Sequence, residues 1–185
     1  MPDLARILSD LAVNEAVVRD LIEGLGDARL NWQQTPGVTW SVAQCIEHVA
    51  LTNNSYVAAM VAAIRQVPRP KTPWTGPIRP SYLGRLFIRS IEPPVKGMKI
   101  KAPTVIAPSL GKTVEEVQAA FAESHGRIRS AVEQATGLDV NSVTFVNPFI
   151  PLLHPALGTG FQILMAHERR HLWQARNARR AALAA

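Results

Sequence analysis

This sequence is poor in the features that most often announce a function. Cys45 is its only cysteine, so no internal disulfide can form and a reducing, cytoplasmic setting is the default expectation. Apolar runs are broken every few residues, which excludes a membrane-spanning helix and removes the membrane from the expected partners. The opening Met1-Pro-Asp-Leu-Ala-Arg6 carries an early acid and lacks a signal-peptide layout. There is no internal repeat, no low-complexity tract and no zinc-finger or RNP-type motif. Downstream of His171 the chain holds no histidine and no acidic side chain. That last absence matters most, because it removes one reading of the most conspicuous motif.

What is present describes an ordinary globular chain. Apolar residues make up 47% and charged residues 18% of 185, enough for one domain over 1–185 with a full core. The net charge of +6 raises the question of nucleic acid. Much of the excess sits late, at Arg169, Arg170, Arg176, Arg179 and Arg180. On a helix Arg169, Arg176 and Arg180 point away from His167, so a solvated helix face accounts for them and nucleic acid is not expected.

Apolar residues recur at three and four from Leu4 to Leu25, which predicts a first helix over 3–24 stopped by Gly24 and Gly26. Asp27 to Thr39 reads as a loop. A second helix is predicted over 41–65, with Val42, Ile46, Val49, Tyr56, Val57, Met60 and Ile64 as its core stripe. His48 lies off that stripe among Ser41, Cys45, Thr52, Ser55 and Ala59, a setting that suits a pocket floor or a plain surface histidine. Nine of the fourteen prolines fall between 66 and 112. They forbid continuous helix there and leave a long crossover with one short helix at Ser81 to Ile91. A connection of that length is usually functional or packed as a lid. Thr113-Val-Glu-Glu116 is a capping box opening a third helix over 113–136. A fourth, over 157–181, starts between Pro155 and the box-like Thr159-Gly-Phe-Gln162. The expected fold class is all-α: an up-down four-helix bundle with the crossover between helices two and three.

The fourth helix carries His167-Glu168-Arg-Arg-His171. Residues four apart leave one face of a helix a turn apart, so both imidazoles can grip one ion. The same letters spell the zinc-peptidase signature, in which the glutamate is the general base. That chemistry needs a third ligand, normally downstream, and none exists there. Any third ligand must come from earlier in the chain. Glu168 points about 100° around the helix from His167 and reads as a residue that orients a ligand or pairs with Arg127 or Arg129. His125 reads as a core-edge or surface histidine and His154 as a loop residue. Cys45, a turn before His48, is the one soft fourth-ligand candidate, though a buried helix cysteine is more often plain core. Gln174 sits on the metal face and could orient a ligand or a water. The four tryptophans read as packing residues.

Two separated segments resemble the DinB/YfiT-like proteins. Trp40-Ser-Val-Ala-Gln-Cys-Ile-Glu47-His48 is similar to their Trp-Ser … Glu-His opening of helix two, and His167-x-x-x-His171 … Gln174 to their closing motif. The resemblance implies that His48, His167 and His171 bind one divalent metal, with zinc or nickel suited to neutral imidazoles. It further implies a metal-dependent transferase or hydrolase acting on a small molecule, with a low-molecular-weight thiol as cosubstrate in the transferase case. No catalytic side chain is assigned by it. The alternative is a non-catalytic metal-binding stress or interaction protein, homodimeric through a helix face.

Overall fold

Residues 2–94 and 102–185 are described by a computed structural model. Four long helices dominate: α1 (Pro2–Ile22), α3 (Val42–Ile64), α5 (Val114–Ala135) and α6 (Leu157–Ala184). Between them lie a single turn, α2 (Asp27–Leu30), a ten-residue helix, α4 (Tyr82–Ile91), and a 3₁₀ turn at Thr104–Ile106. The fold is all-α, with one isolated bridge, Thr144 to Ala156, as the only β pairing among the described residues. Among the described residues no helix is long and apolar enough to cross a membrane. The bounds of the long helices fall within a few residues of those expected from periodicity. Lys96 to Lys101, read as part of the crossover, lies outside the described residues.

Local chemistry sets the helix starts. At α3 the Ser41 hydroxyl accepts from the Gln44 N–H at 3.2 Å while the Gln44 side chain accepts from the Ser41 N–H at 3.1 Å. At α5 the expected box forms between Thr113 and Glu116, at 3.2 and 2.9 Å. The expected box at Thr159 does not form, because α6 begins earlier and no side chain caps it. Its first amides instead donate to backbone carbonyls of the preceding loop, Leu157 to Val143 and Gly158 to Val140, each at 2.8 Å. This entry is tight. A Cβ on Gly158 would lie 2.7 Å from Ile78, and one on Gly160 2.6 Å from Phe145. The turn α2, absent from the sequence reading, is too short for periodicity to reveal; it drives Leu30 to 0% exposure.

α3 packs against α5 and α6, and α1 packs against the same two, leaving α1–α3 and α5–α6 as diagonals. The core divides into two apolar clusters. Leu11, Met60, Ile128 and Phe161 belong to one; Val18, Ile46, Phe121 and Leu172 belong to the other. α1 and α6 pass from the first cluster to the second along the chain, whereas α3 and α5 pass from the second to the first. The directions are therefore up, down, down, up. The Pro-rich crossover links the two helices that run the same way, which a short loop cannot do. Fully buried side chains such as Phe161 contribute roughly 2–3 kcal/mol each to this core.

The crossover is tied down at intervals rather than free. The Ile78 N–H donates to Asp3 at 2.6 Å. Arg169, expected on a solvated face, is instead half-buried and bridges Glu92 at the end of α4 and Asp10 of α1. The Glu92 and Asp10 carboxylates hold its guanidinium above the usual arginine range.

Candidate metal centre

His48 sits two turns into α3, and His167 and His171 lie one turn apart in α6. Because α3 and α6 are antiparallel neighbours, the three rings meet. One ring nitrogen from each lies within 4.8 Å of the other two. Ring centroids are 5.1 Å apart for His48 and His167, 4.5 Å for His48 and His171, and 4.4 Å for His167 and His171. His48 and His171 are buried at 3% and 7% exposure, and His167 is half-buried.

Hydrogen bonding leaves these rings with lone pairs to spare. The His48 Nδ1–H donates to the Ile106 carbonyl at 2.8 Å, which leaves Nε2 as the unprotonated atom. Nδ1 of His167 and Nδ1 of His171 are buried with no partner among the described residues. Burial first, and then mutual repulsion with the neighbouring histidines and Arg170, pushes His167 well below the ordinary histidine range. His171 is pushed to about 3, again mainly by burial, with the nearby Gln174 opposing the shift. Burial lowers His48 as well, against the pull of its bond to Ile106. All three are therefore neutral at pH 7 and able to donate electron pairs. Buried imidazoles without partners normally cost stability, and a shared cation is the partner that three convergent lone pairs fit.

The other sequence candidates separate from this group. The Cys45 sulfur is not among the converging atoms, and burial pushes its thiol up to about 12. His154 is exposed in the loop before α6. Glu168 and His125 belong to a different cluster. Glu168, at 0% exposure, accepts from Asn14 of α1 at 2.6 Å and from Asn53 of α3 at 2.8 Å. His125, fully buried rather than at the core edge, brings Nε2 to 3.3 Å from Glu168 and Nδ1 to 3.1 Å from Glu15. The arginines expected beside Glu168 are elsewhere: Arg127 pairs with Glu123 and Arg129 with Glu15. A peptidase base at Glu168 is thereby overturned, since its carboxylate faces amides of α1 and α3.

Two contributors were missed in the sequence. Trp40 packs its ring 4.7 Å from His48 and 5.6 Å from His171, walling the group rather than serving the core alone. The Ile106 carbonyl has no sequence signal, because every residue carries one. Gln174, expected one turn after His171 on the same face, is half-buried with Oε1 unpartnered. Surface hollows of about 420 and 410 Å³ lie elsewhere, one against Trp173 and Arg176, the other against Trp74 and Asn141. Neither is lined by a triad histidine.

A family model described as the DinB superfamily matches residues 10–175. No curated protein and no solved structure gives a match.

Proposed function

The chain belongs to the DinB superfamily, and from that premise we propose that it binds one divalent metal through His48, His167 and His171. We read it as a metal-dependent transferase or hydrolase acting on a small molecule in the cytoplasm. The observation that carries the metal reading is the convergence of three neutral, under-bonded imidazoles from two helices. Imidazole donors suit zinc or nickel, and three protein ligands leave positions open for water or substrate.

Within this site the chain's own residues have separable tasks. Ile106 fixes the tautomer of His48, so that Nε2 carries the free lone pair. Burial keeps His167 and His171 unprotonated at pH 7. Trp40 covers two of the rings and excludes water from that side. A divalent cation held here supplies Lewis acidity that lowers the pKa of a bound water or thiol, giving the hydrolase or the thiol-dependent transferase version. The second reading, metal binding without turnover, is supported by the burial of His48 and His171, at 3% and 7% exposure.

Metal analysis of untagged protein tests the proposal. Wild type and Glu168→Gln should retain divalent metal and His48→Ala should lose it; retention in His48→Ala would place the third ligand elsewhere. Metal-loaded and chelator-treated wild type, assayed with a panel of thiols, electrophiles, esters and amides, separate the two readings. Absence of metal-dependent turnover across the panel would favour the non-catalytic one.

A further inference from the structure

The segment 102–112 runs across α3 as a strap with a single buried side chain, Ile106 at 4% exposure. Its neighbours Val105 and Leu110 are 72% and 69% exposed, so apolar burial holds the strap at one point only. Polar contacts do the rest. The Ser109 N–H donates to Oε2 of Glu47 at 2.7 Å, and its hydroxyl donates to Oε1 at 2.8 Å. Farther along, Asn31 receives the Gly111 N–H and donates to the Lys112 carbonyl.

Glu47 and His48 are consecutive on α3, and their partners Ser109 and Ile106 are three apart on the strap. Two adjacent α3 side chains therefore grip one turn of the strap, Glu47 by its serine and His48 by a carbonyl. The grip matters because a carbonyl cannot reposition itself. If the strap lifts, His48 Nδ1–H loses its acceptor, and the ring is free to rotate or to move its proton to Nε2. Either event removes the lone pair that faces His167 and His171.

We propose that Glu47 and Ser109 are positioning residues for the metal centre: together they latch the strap so that the Ile106 carbonyl holds His48 in the ligating tautomer and orientation. The inference rests on the metal reading above and adds residues that touch no metal. Groups that orient a metal-bound histidine typically change affinity by about 10- to 100-fold when lost. Because the latch acts through an intervening carbonyl, the lower end, about tenfold, is expected.

The test compares wild type, Glu47→Ala, Ser109→Ala and His48→Ala in full-length protein. Zinc affinity is read by competition with a chromophoric chelator, the His48 tautomer by ¹⁵N NMR of metal-free protein, and stability by urea unfolding. Glu47→Ala should weaken zinc binding about tenfold and convert a single Nδ1–H tautomer of His48 into a mixture, with the unfolding midpoint unchanged. Ser109→Ala, which keeps the amide donor and cannot disrupt α3, should show the same changes in smaller measure. Wild-type affinity and a single tautomer in both variants would overturn the latch while leaving the metal reading intact. Weakened affinity with the tautomer unaltered would also overturn it. If His48→Ala binds zinc as wild type does, the metal reading itself fails, and that result is distinct from either of the others.

Discussion

His167 and Glu168 are neighbours in sequence and belong to opposite kinds of buried polar site. Around His167 gather electron-pair donors: three imidazoles, neutral at pH 7, two of them with an unpartnered Nδ1. Around Glu168 gather groups facing an acceptor: the Asn14 and Asn53 amides of α1 and α3 donate to it, and His125 of α5 brings Nε2 to 3.3 Å without a hydrogen bond. The Glu168 layer lies on every long helix at the boundary between the two apolar clusters. It thus fixes the axial level at which four helices meet, a registry role for which buried polar groups are well suited. A buried carboxylate met by two amide donors helps to specify a fold, whereas convergent electron-pair donors suit a cation. One helical step of about 100° moves the chain from one to the other.

The sharpest way to break this contrast is Glu168→Ala. It strands the Asn14 and Asn53 amides in the interior and opens a void. Urea unfolding should show a loss of about 3 kcal/mol or more. A loss below about 1 kcal/mol would mean that the layer is not structural.

The triad should make stability depend on pH. His171 is held at about 3 against an ordinary value of 6.5. Between those values the unfolded chain takes up a proton that the folded chain refuses, so stability is full above the ordinary value and falls as pH drops toward 3. For chelator-treated protein the His171 share of that loss between pH 7 and pH 5 should be about 2 kcal/mol. His171→Leu should remove this share, abolish metal-induced stabilisation, and leave the metal-free protein at pH 7 no less stable than wild type. A wild-type pH profile in His171→Leu would show that the histidine is not buried neutral.

The smallest effect is expected at Cys45. Cys45→Ala should cost about 1 kcal/mol as a lost core atom and leave metal retention unchanged. Its thiol, buried and pushed up to about 12, should react with alkylating reagents only after unfolding. Loss of metal in Cys45→Ala would return the sulfur to the ligand set.

Much of the architecture was legible because helices are written in local code. The apolar stripe of α3, the Thr113–Glu116 box and the Gly24 stop are all carried by residues within a few positions of one another. The start of α6 near residue 157 was legible too, but its cap was not: its first amides donate to carbonyls of Val140 and Val143, and a backbone atom has no letter. Arg169 was misassigned to solvent because its partners, Asp10 and Glu92, are distant in sequence. His125 was taken for a core-edge residue because Glu168, which faces its ring, lies on another helix.

By itself the sequence determined that His167 and His171 share a face, since a helix places residues four apart on one side whatever surrounds it. It likewise determined that Glu168 points elsewhere. Tertiary structure decided the rest. Only the antiparallel contact of α3 with α6 brings His48 to the pair, and only the return of the strap gives His48 an acceptor for its Nδ1 proton. What surrounds Glu168 was decided the same way, by three other helices arriving at one level. Periodicity fixes direction within an element; which side chains meet across elements depends on how those elements bury their apolar faces together.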